Sequence, residues 1–232
     1  IYGTAAGITS AKWDASANSF YFKDNSKAYF GDSSDLSIYH DGNNSKIINN
    51  TGNLTLNATS SESGIDIKAN AEVELYYNGS QKFETTNDGV NITGVGTFSQ
   101  GANFAGMLKE KVNIVAGKLS DNTNIDLENG MVHYFSTNET TTATPNIRWN
   151  STYSLNSKMN TGDVVTVTII YKPNNAGYYA SLNIGGSGQA EEWLGGEAPS
   201  SANSSGYDVL THTIIKTGSN AYIDLCNVQN YA

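Results

Sequence analysis

The groups in this chain with the most chemical reach are three histidines, one cysteine and 22 carboxylates, spread over 232 residues. His40, His133 and His212 stand far apart, without the His-x-x-x-His or Glu-x-x-His spacing that sets two ligands on one helix face. Lone histidines of this kind read as strand or turn residues. With Cys226 as the sole thiol, there is no material for a zinc site or a disulfide framework. Cys226 lies in the alternating run Tyr222-Ile-Asp-Leu-Cys-Asn-Val, where a buried thiol is expected. Paired carboxylates are the tools of glycan hydrolysis, and the available neighbours are Asp32 with Asp35 and Glu191 with Glu192. Adjacent strand residues face opposite ways, so Glu191 and Glu192 diverge if they lie in a strand, and Asp32-Ser-Ser-Asp35 has turn chemistry. Gly185-Gly186-Ser187-Gly188 falls short of a nucleophile elbow, because Gln189 occupies the position that needs glycine. No Asp-x-Asx-x-Asx-Gly loop is present for calcium. The sequence therefore assigns no catalytic, cofactor or metal residue.

Binding chemistry is better represented. Gly177-Tyr178-Tyr179, Trp193-Leu-Gly-Gly196 and Ser204-Ser-Gly-Tyr207-Asp208 combine aromatic rings with small polar and acidic residues. A sugar stacks its apolar face on a ring and takes hydrogen bonds from neutral or acidic partners, so Tyr178, Tyr179, Trp193, Tyr207 and Asp208 are candidate receptor contacts. The competing reading makes Tyr179, Trp193 and Tyr207 core anchors. Nucleic acid is a poor fit: 13 Lys+Arg face 22 Asp+Glu, the net charge is −9, and Arg148 is the single arginine. No apolar run is long enough for membrane insertion. The chain opens Ile-Tyr-Gly with no initiator Met or signal pattern, as a processed protein or an excerpt would.

The elements that position these residues are strands. Asn, Ser and Thr make up about a third of the chain and Pro only 3 residues, while 14 Tyr, 7 Phe and 3 Trp alternate with small polar residues. That pattern fits half-exposed strands joined by Asx-Gly turns, an all-β protein. Residues 1–100 divide into short hairpin modules. Asn78-Gly79 between Val73–Tyr77 and Gln81–Glu84 predicts a type I′ turn, and Asp41-Gly42-Asn43-Asn44 and Asn87-Asp88-Gly89 mark others. Leu36-Ser-Ile-Tyr-His-Asp-Gly-Asn and Val73-Glu-Leu-Tyr-Tyr-Asn-Gly-Ser share one pattern, as two copies of a repeat or as two ordinary hairpins. Only about a fifth of residues 1–100 are Leu, Ile, Val or Phe, close to the floor for an independent core. Pooling apolar stripes among identical chains removes that deficit, and three-fold closure is the symmetric solution expected for an elongated shaft. Glycines 94, 96, 101 and 106 mark a linker over 101–107. Residues 108–232 follow as a β-sandwich or jelly-roll head, with Val164–Tyr171 as a central strand covered on both faces. Leu108, Val112 and Val115 have helical spacing, but the alternation of Val112 and Ile114 favours a strand.

Tyr29-Phe-Gly-Asp-Ser-Ser-Asp-Leu-Ser-Ile-Tyr-His-Asp-Gly42, Gly52-Asn-Leu-Thr-Leu56, Val73-Glu-Leu-Tyr-Tyr-Asn-Gly-Ser-Gln-Lys-Phe-Glu-Thr-Thr86 and Gly89-Val-Asn-Ile-Thr-Gly94 resemble the repeat-bearing shafts of marine bacteriophage tail-fibre and other virion proteins, particularly those of cyanophages. Lys109-Glu-Lys-Val-Asn-Ile114, Trp193-Leu-Gly-Gly196 and Ala221–Tyr231 are similar to the domains that follow those shafts. The resemblance implies a homotrimeric virion fibre, extracellular, joined to other virion proteins on its N-terminal side. Its distal head would bind a host-surface glycan or protein. It brings no catalytic residues and leaves attachment to the capsid, as a fibre or decoration protein, as the alternative to the tail; apart from the resemblance, a polysaccharide depolymerase whose carboxylates meet between chains is the less favoured enzyme reading.

Overall fold

Alternation of apolar and small polar residues, broken every few positions by Asx and Gly, gives short pleated strands, and the chain is built from little else. The computed structural model describes residues 10–175 and 181–232. Two 3₁₀ turns, Leu127–Asn129 and Leu155–Ser157, are the only helical segments among them. No helix is long and apolar enough to cross a membrane. The chain divides into two units, Ile1–Asn103 and Phe104–Ala232, with the change of unit inside the glycine-punctuated stretch.

In the first unit, β1 (Ala11–Asp14) pairs with β2 (Ser19–Phe22), and β3 (Ala28–Phe30), β4 (Leu36–His40) and β5 (Ser45–Asn49) form a three-stranded meander. A second meander contains β6 (Leu54–Thr59), β7 (Glu62–Ile67), β8 (Val73–Tyr77), β9 (Ser80–Thr86) and β10 (Gly89–Ile92), in that spatial order. The β8–β9 turn is as predicted: Asn78 and Gly79 have φ of 49° and 70°, the left-handed pair a type I′ turn needs. At the β4–β5 turn, the Asp41 carboxylate accepts the N–H groups of Asn43 (3.0 Å) and Asn44 (2.8 Å). Lys46 Nζ lies 2.5 Å from the same carboxylate.

In the two repeated strands burial is inverted with respect to polarity. The repeated strands β4 and β8 share one alternation, in which Ser37 and Glu74 are buried while Ile38 and Leu75 are 44% and 39% exposed. Lys68 Nζ, at 2.8 Å, and the Tyr76 hydroxyl, donating at 2.6 Å, satisfy Glu74 on the polar face. On the other face, the register aligns Leu56, Ile65, Leu75, Phe83 and Ile92 in one row across all five strands. Leu54, Ile67 and Val73 form a second row. Leu56, Ile67, Leu75, Val90 and Ile92 remain exposed.

The second unit is a sandwich. One sheet has the order β11 (Val112–Val115), β13 (Val132–Asn138), β15 (Val164–Lys172), β19 (Tyr207–Gly218), β20 (Ala221–Tyr231), β18 (Glu191–Trp193). The other contains β12 (Asn124–Asp126), β14 (Asn146–Arg148), β16 (Asn183–Ile184) and β17 (Ser187–Gly188). Phe135, Val167, Ile169, Tyr171, Leu210 and Ile214 of the larger sheet share one core with Ile125, Ile147 and Ile184 of the smaller. Successive strands from β11 to β16 alternate between the sheets, so each sheet receives every second strand in the same direction. The pairs β11–β13–β15 and β12–β14–β16 are accordingly parallel, as is β18–β20, while β15–β19, β16–β17 and β19–β20 are antiparallel. A jelly roll pairs neighbours antiparallel, so the sandwich expectation holds while its winding differs. Val112–Val115 is a strand, as its alternation indicated. β15 is central between β13 and β19, but within the chain only one of its faces is buried. Its outward neighbours include exposed Val112, Ile114, Val164, Ile223, Leu225 and Tyr231.

His133 shows how the head treats a polar core group. The ring is buried on the core face of β13; Nε2 lies 2.9 Å from the Gly130 carbonyl and Nδ1 lies 3.1 Å from Asn113 Nδ2. Neutral imidazole satisfies both contacts by donating from Nε2 and accepting at Nδ1. Burial lowers its pKa from the usual value of 6.5. The unfolded chain then binds this proton more readily than the native one, so the associated stability is complete above pH 6.5 and is lost as pH falls below it. Thermal melts of the wild type between pH 8 and pH 5, set against His133→Gln, check this: the variant is expected to lose that part of the slope.

Candidate functional site

The turn after β15 and the loop leading into Tyr207 meet at one end of the larger sheet. Pro173 ends β15 by removing a ladder donor, and Asn174 and Asn175 then turn the chain with φ of 51° and 60°. The Asn175 N–H donates to the Asn203 carbonyl at 2.8 Å, tying this turn to the loop that leads into β19. Gly206, at φ 75°, packs so closely on the end of β20 that a Cβ there would stand 1.8 Å from the Tyr231 carbonyl oxygen. Only glycine allows that approach, and it presents Tyr207 at the rim. Asn138, Lys172, Asn174, Ser204 and Ser205 complete a shallow depression of about 290 Å³ beside the ring. Tyr207 is 39% exposed, the Tyr134 ring lies 6.0 Å away, and Lys172 Nζ stands 5.6 Å from the Tyr207 centroid. A ring with free surface, ringed by amides, hydroxyls and one ammonium, can stack on a sugar face and bond its hydroxyls.

The other candidates fare differently. Asp208 is 1% exposed and points to the core side of β19. Its Oδ2 accepts the Tyr171 hydroxyl at 3.2 Å and its Oδ1 accepts Asn230 Nδ2 at 2.7 Å, so this carboxylate staples three strands together. Trp193 lies in register with Cys226 and packs against the core, leaving its neighbour Leu194 exposed. Tyr178 and Tyr179 lie outside the described residues. Strand alternation accounts for the inward pair: Asp208 follows the outward Tyr207, and Trp193 follows the outward Glu192. Asn138, Lys172 and Asn174 were not legible as partners of Tyr207, because the parallel β13–β15 pairing brings them there.

A second polar feature lies on the outer face of the smaller sheet. Parallel β12 and β14, with the residues that follow them, set three side-chain pairs in a ladder: Asn124 with Asn146, Asp126 with Arg148, and Glu128 with Asn150. Arg148 grips Asp126 through Nε (2.5 Å) and Nη2 (3.2 Å), which raises the guanidinium pKa further. A cleft of about 230 Å³ beside it includes Tyr153, whose ring lies 4.5 Å from Lys158 Nζ. Here the charges already satisfy each other, leaving less for a ligand than the depression at Tyr207.

Among the carboxylates, Glu191 turns to the core side and accepts the Leu182 N–H, while Glu192 is exposed on the opposite face. Asp35 serves its turn, accepting the Thr51 hydroxyl at 3.2 Å. One sequence expectation needs correction. His212 and Cys226 are not isolated: with Asp224 they form a buried cluster whose donor atoms all lie within 4.8 Å of one another. His212 and Cys226 are direct register partners on β19 and β20, and Asp224 is two residues from Cys226 on the same face. The Asp-x-Cys alternation was visible in the sequence, but the hairpin register that adds His212 was not. Burial, then the charges of Asp224, Glu191 and Glu192, push the Cys226 thiol up to about 12. It is a protonated core thiol at neutral pH and a poor nucleophile.

Comparison with protein-family models, with curated proteins and with solved structures found no match.

Proposed function

We propose that this chain is a virion fibre protein, a homotrimer in which the first unit forms a shaft with a shared core and the second a head that binds a host-surface glycan. The exposed apolar rows of the first unit carry this reading. A sheet that leaves Leu56, Ile67, Leu75, Val90 and Ile92 open on one face while it buries Glu74 on the other is half of an interface. On the outer face of the larger head sheet, Val112, Ile114, Val164, Ile223 and Leu225 are exposed among threonines, which extends the same argument to the second unit. The motif resemblance supplies the virion setting, and the ring at Tyr207 the glycan.

The test combines mass and binding. Sedimentation equilibrium should give three times the chain mass, and a folded monomer would overturn the assembly. Immobilised host lipopolysaccharide or capsular glycan should retain the wild type, and Tyr207→Ala should bind about 10–100-fold more weakly, the loss of one stacked ring. Unchanged binding by Tyr207→Ala moves the glycan site elsewhere. Release of reducing ends would make the protein a depolymerase instead. Labelled antibody against residues 107–232 should mark fibre tips on virions, whereas decoration of capsid faces would retire the tail reading.

A further inference from the structure

We propose that His212, Asp224 and Cys226 form a binding site for one divalent cation of the zinc class inside the head. This rests on no part of the fibre reading. The β19–β20 register sets the imidazole of His212 directly opposite Cys226, with Asp224 on the same core-facing side. All three side chains are more than nine-tenths buried, and one ligand atom from each lies within 4.8 Å of the others. Tetrahedral zinc holds donors slightly closer than this, at bond lengths of about 2.0–2.3 Å, so small side-chain rotations close the shell.

The His212–Asp224 contact alone does not account for the arrangement. His212 Nδ1 meets Asp224 Oδ2 at 2.9 Å, but Asp224 Oδ1 is buried with no hydrogen-bond partner. A buried carboxylate oxygen in that condition is costly unless something else satisfies it. The nearby thiol is a weak donor, yet as a thiolate it becomes a strong metal ligand. Imidazole nitrogen, carboxylate oxygen and thiolate sulfur together suit a borderline cation such as Zn²⁺, whereas Ca²⁺ and Mg²⁺ take all-oxygen shells. Binding exchanges the Cys226 proton for the metal and releases that proton to solvent.

Cobalt titration of the full chain tests the site, because Cys226 is the only cysteine in these 232 residues. Any thiolate-to-cobalt charge-transfer absorption must come from it. The chain is stripped with EDTA and Co²⁺ is then offered both to the native protein and during refolding, since the cluster is enclosed. One equivalent should develop the near-ultraviolet band, Zn²⁺ should abolish it, and Zn²⁺ should raise the melting temperature. Cys226→Ala should lose the band while keeping the strand signal. Asp224→Asn should bind at least about tenfold more weakly, the lower end for losing even an outer-shell partner. Absence of the band from folded wild type, by both routes, overturns the proposal, as does cobalt binding that leaves no thiolate signature.

Discussion

Leu75→Asp is expected to convert the assembled protein to monomers and to melt the hairpins of the first unit. In an isolated chain this substitution would be mild, because Leu75 is already 39% exposed. A surface change of that kind costs within about 0.5 kcal/mol. The two outcomes therefore separate sharply. If the row from Leu56 to Ile92 faces the same row of other copies, an aspartate at its centre is an unpaired charge in a desolvated seam. Such a charge costs several kcal/mol per chain and is repeated at each symmetric contact. Sedimentation equilibrium reads the mass and circular dichroism the loss of strand signal. Thr55→Lys is the control. Thr55 lies on the opposite face in register with Asp66, so a lysine there gains a cross-strand partner and should leave the mass unchanged. A Leu75→Asp protein with wild-type mass and hairpins would show that the open face is simply solvated.

How far the sequence announced all this depends on the range of the interaction that decides it. Turns are local, and they were legible: Asn78-Gly79 could adopt two consecutive left-handed residues and does. Strand alternation is also local, so the divergence of Glu191 and Glu192 and the repeat of β4 in β8 could be read directly. Which face is covered is not local. Alternation marks Ile38 and Leu75 as one face, and by the usual rule as the inner one. In the chain taken alone that face is open, and Ser37 and Glu74 lie inside. The low apolar content of residues 1–100 was the one sequence signal pointing that way.

The head followed the same logic. Its sandwich could be inferred from strand number and spacing, but its winding could not. Whether β13 joins β15 in parallel depends on β14 crossing to the other sheet, and no short-range pattern encodes that step. Site residues inherit the limitation. Tyr207 was readable either as a surface ring or as a core anchor, and it lies at the rim, 39% exposed. Asp208 read as its equal partner, although the strand begins between them and turns the second residue inward. Convergence of His212 with Asp224 and Cys226 required the full β19–β20 register, and a one-residue slip would have dispersed it.

His212→Ala should destabilise the head by about 2–5 kcal/mol for metal-free protein, because it empties a buried side-chain site and strips the Asp224 carboxyl group of its hydrogen-bond partner. Asp224 is 1% exposed and already has one oxygen unsatisfied; without the imidazole at 2.9 Å it has none of its observed side-chain contacts. Thr211→Ala, one position away on the outward face, should change stability by no more than about 0.5 kcal/mol. The paired replacement His212→Leu with Asp224→Leu decides what the cluster is for. Replacing both partners of a buried polar contact by apolar groups of similar shape can be nearly neutral or stabilising, so the double variant should recover most of the loss in urea melts run with chelator. Recovery would show that the pair contributes little net stability on its own, and that the polarity of this part of the core serves something other than folding. Failure to recover, with a loss near the sum of the single changes, would instead make the pair a structural element of the β19–β20 hairpin in its own right.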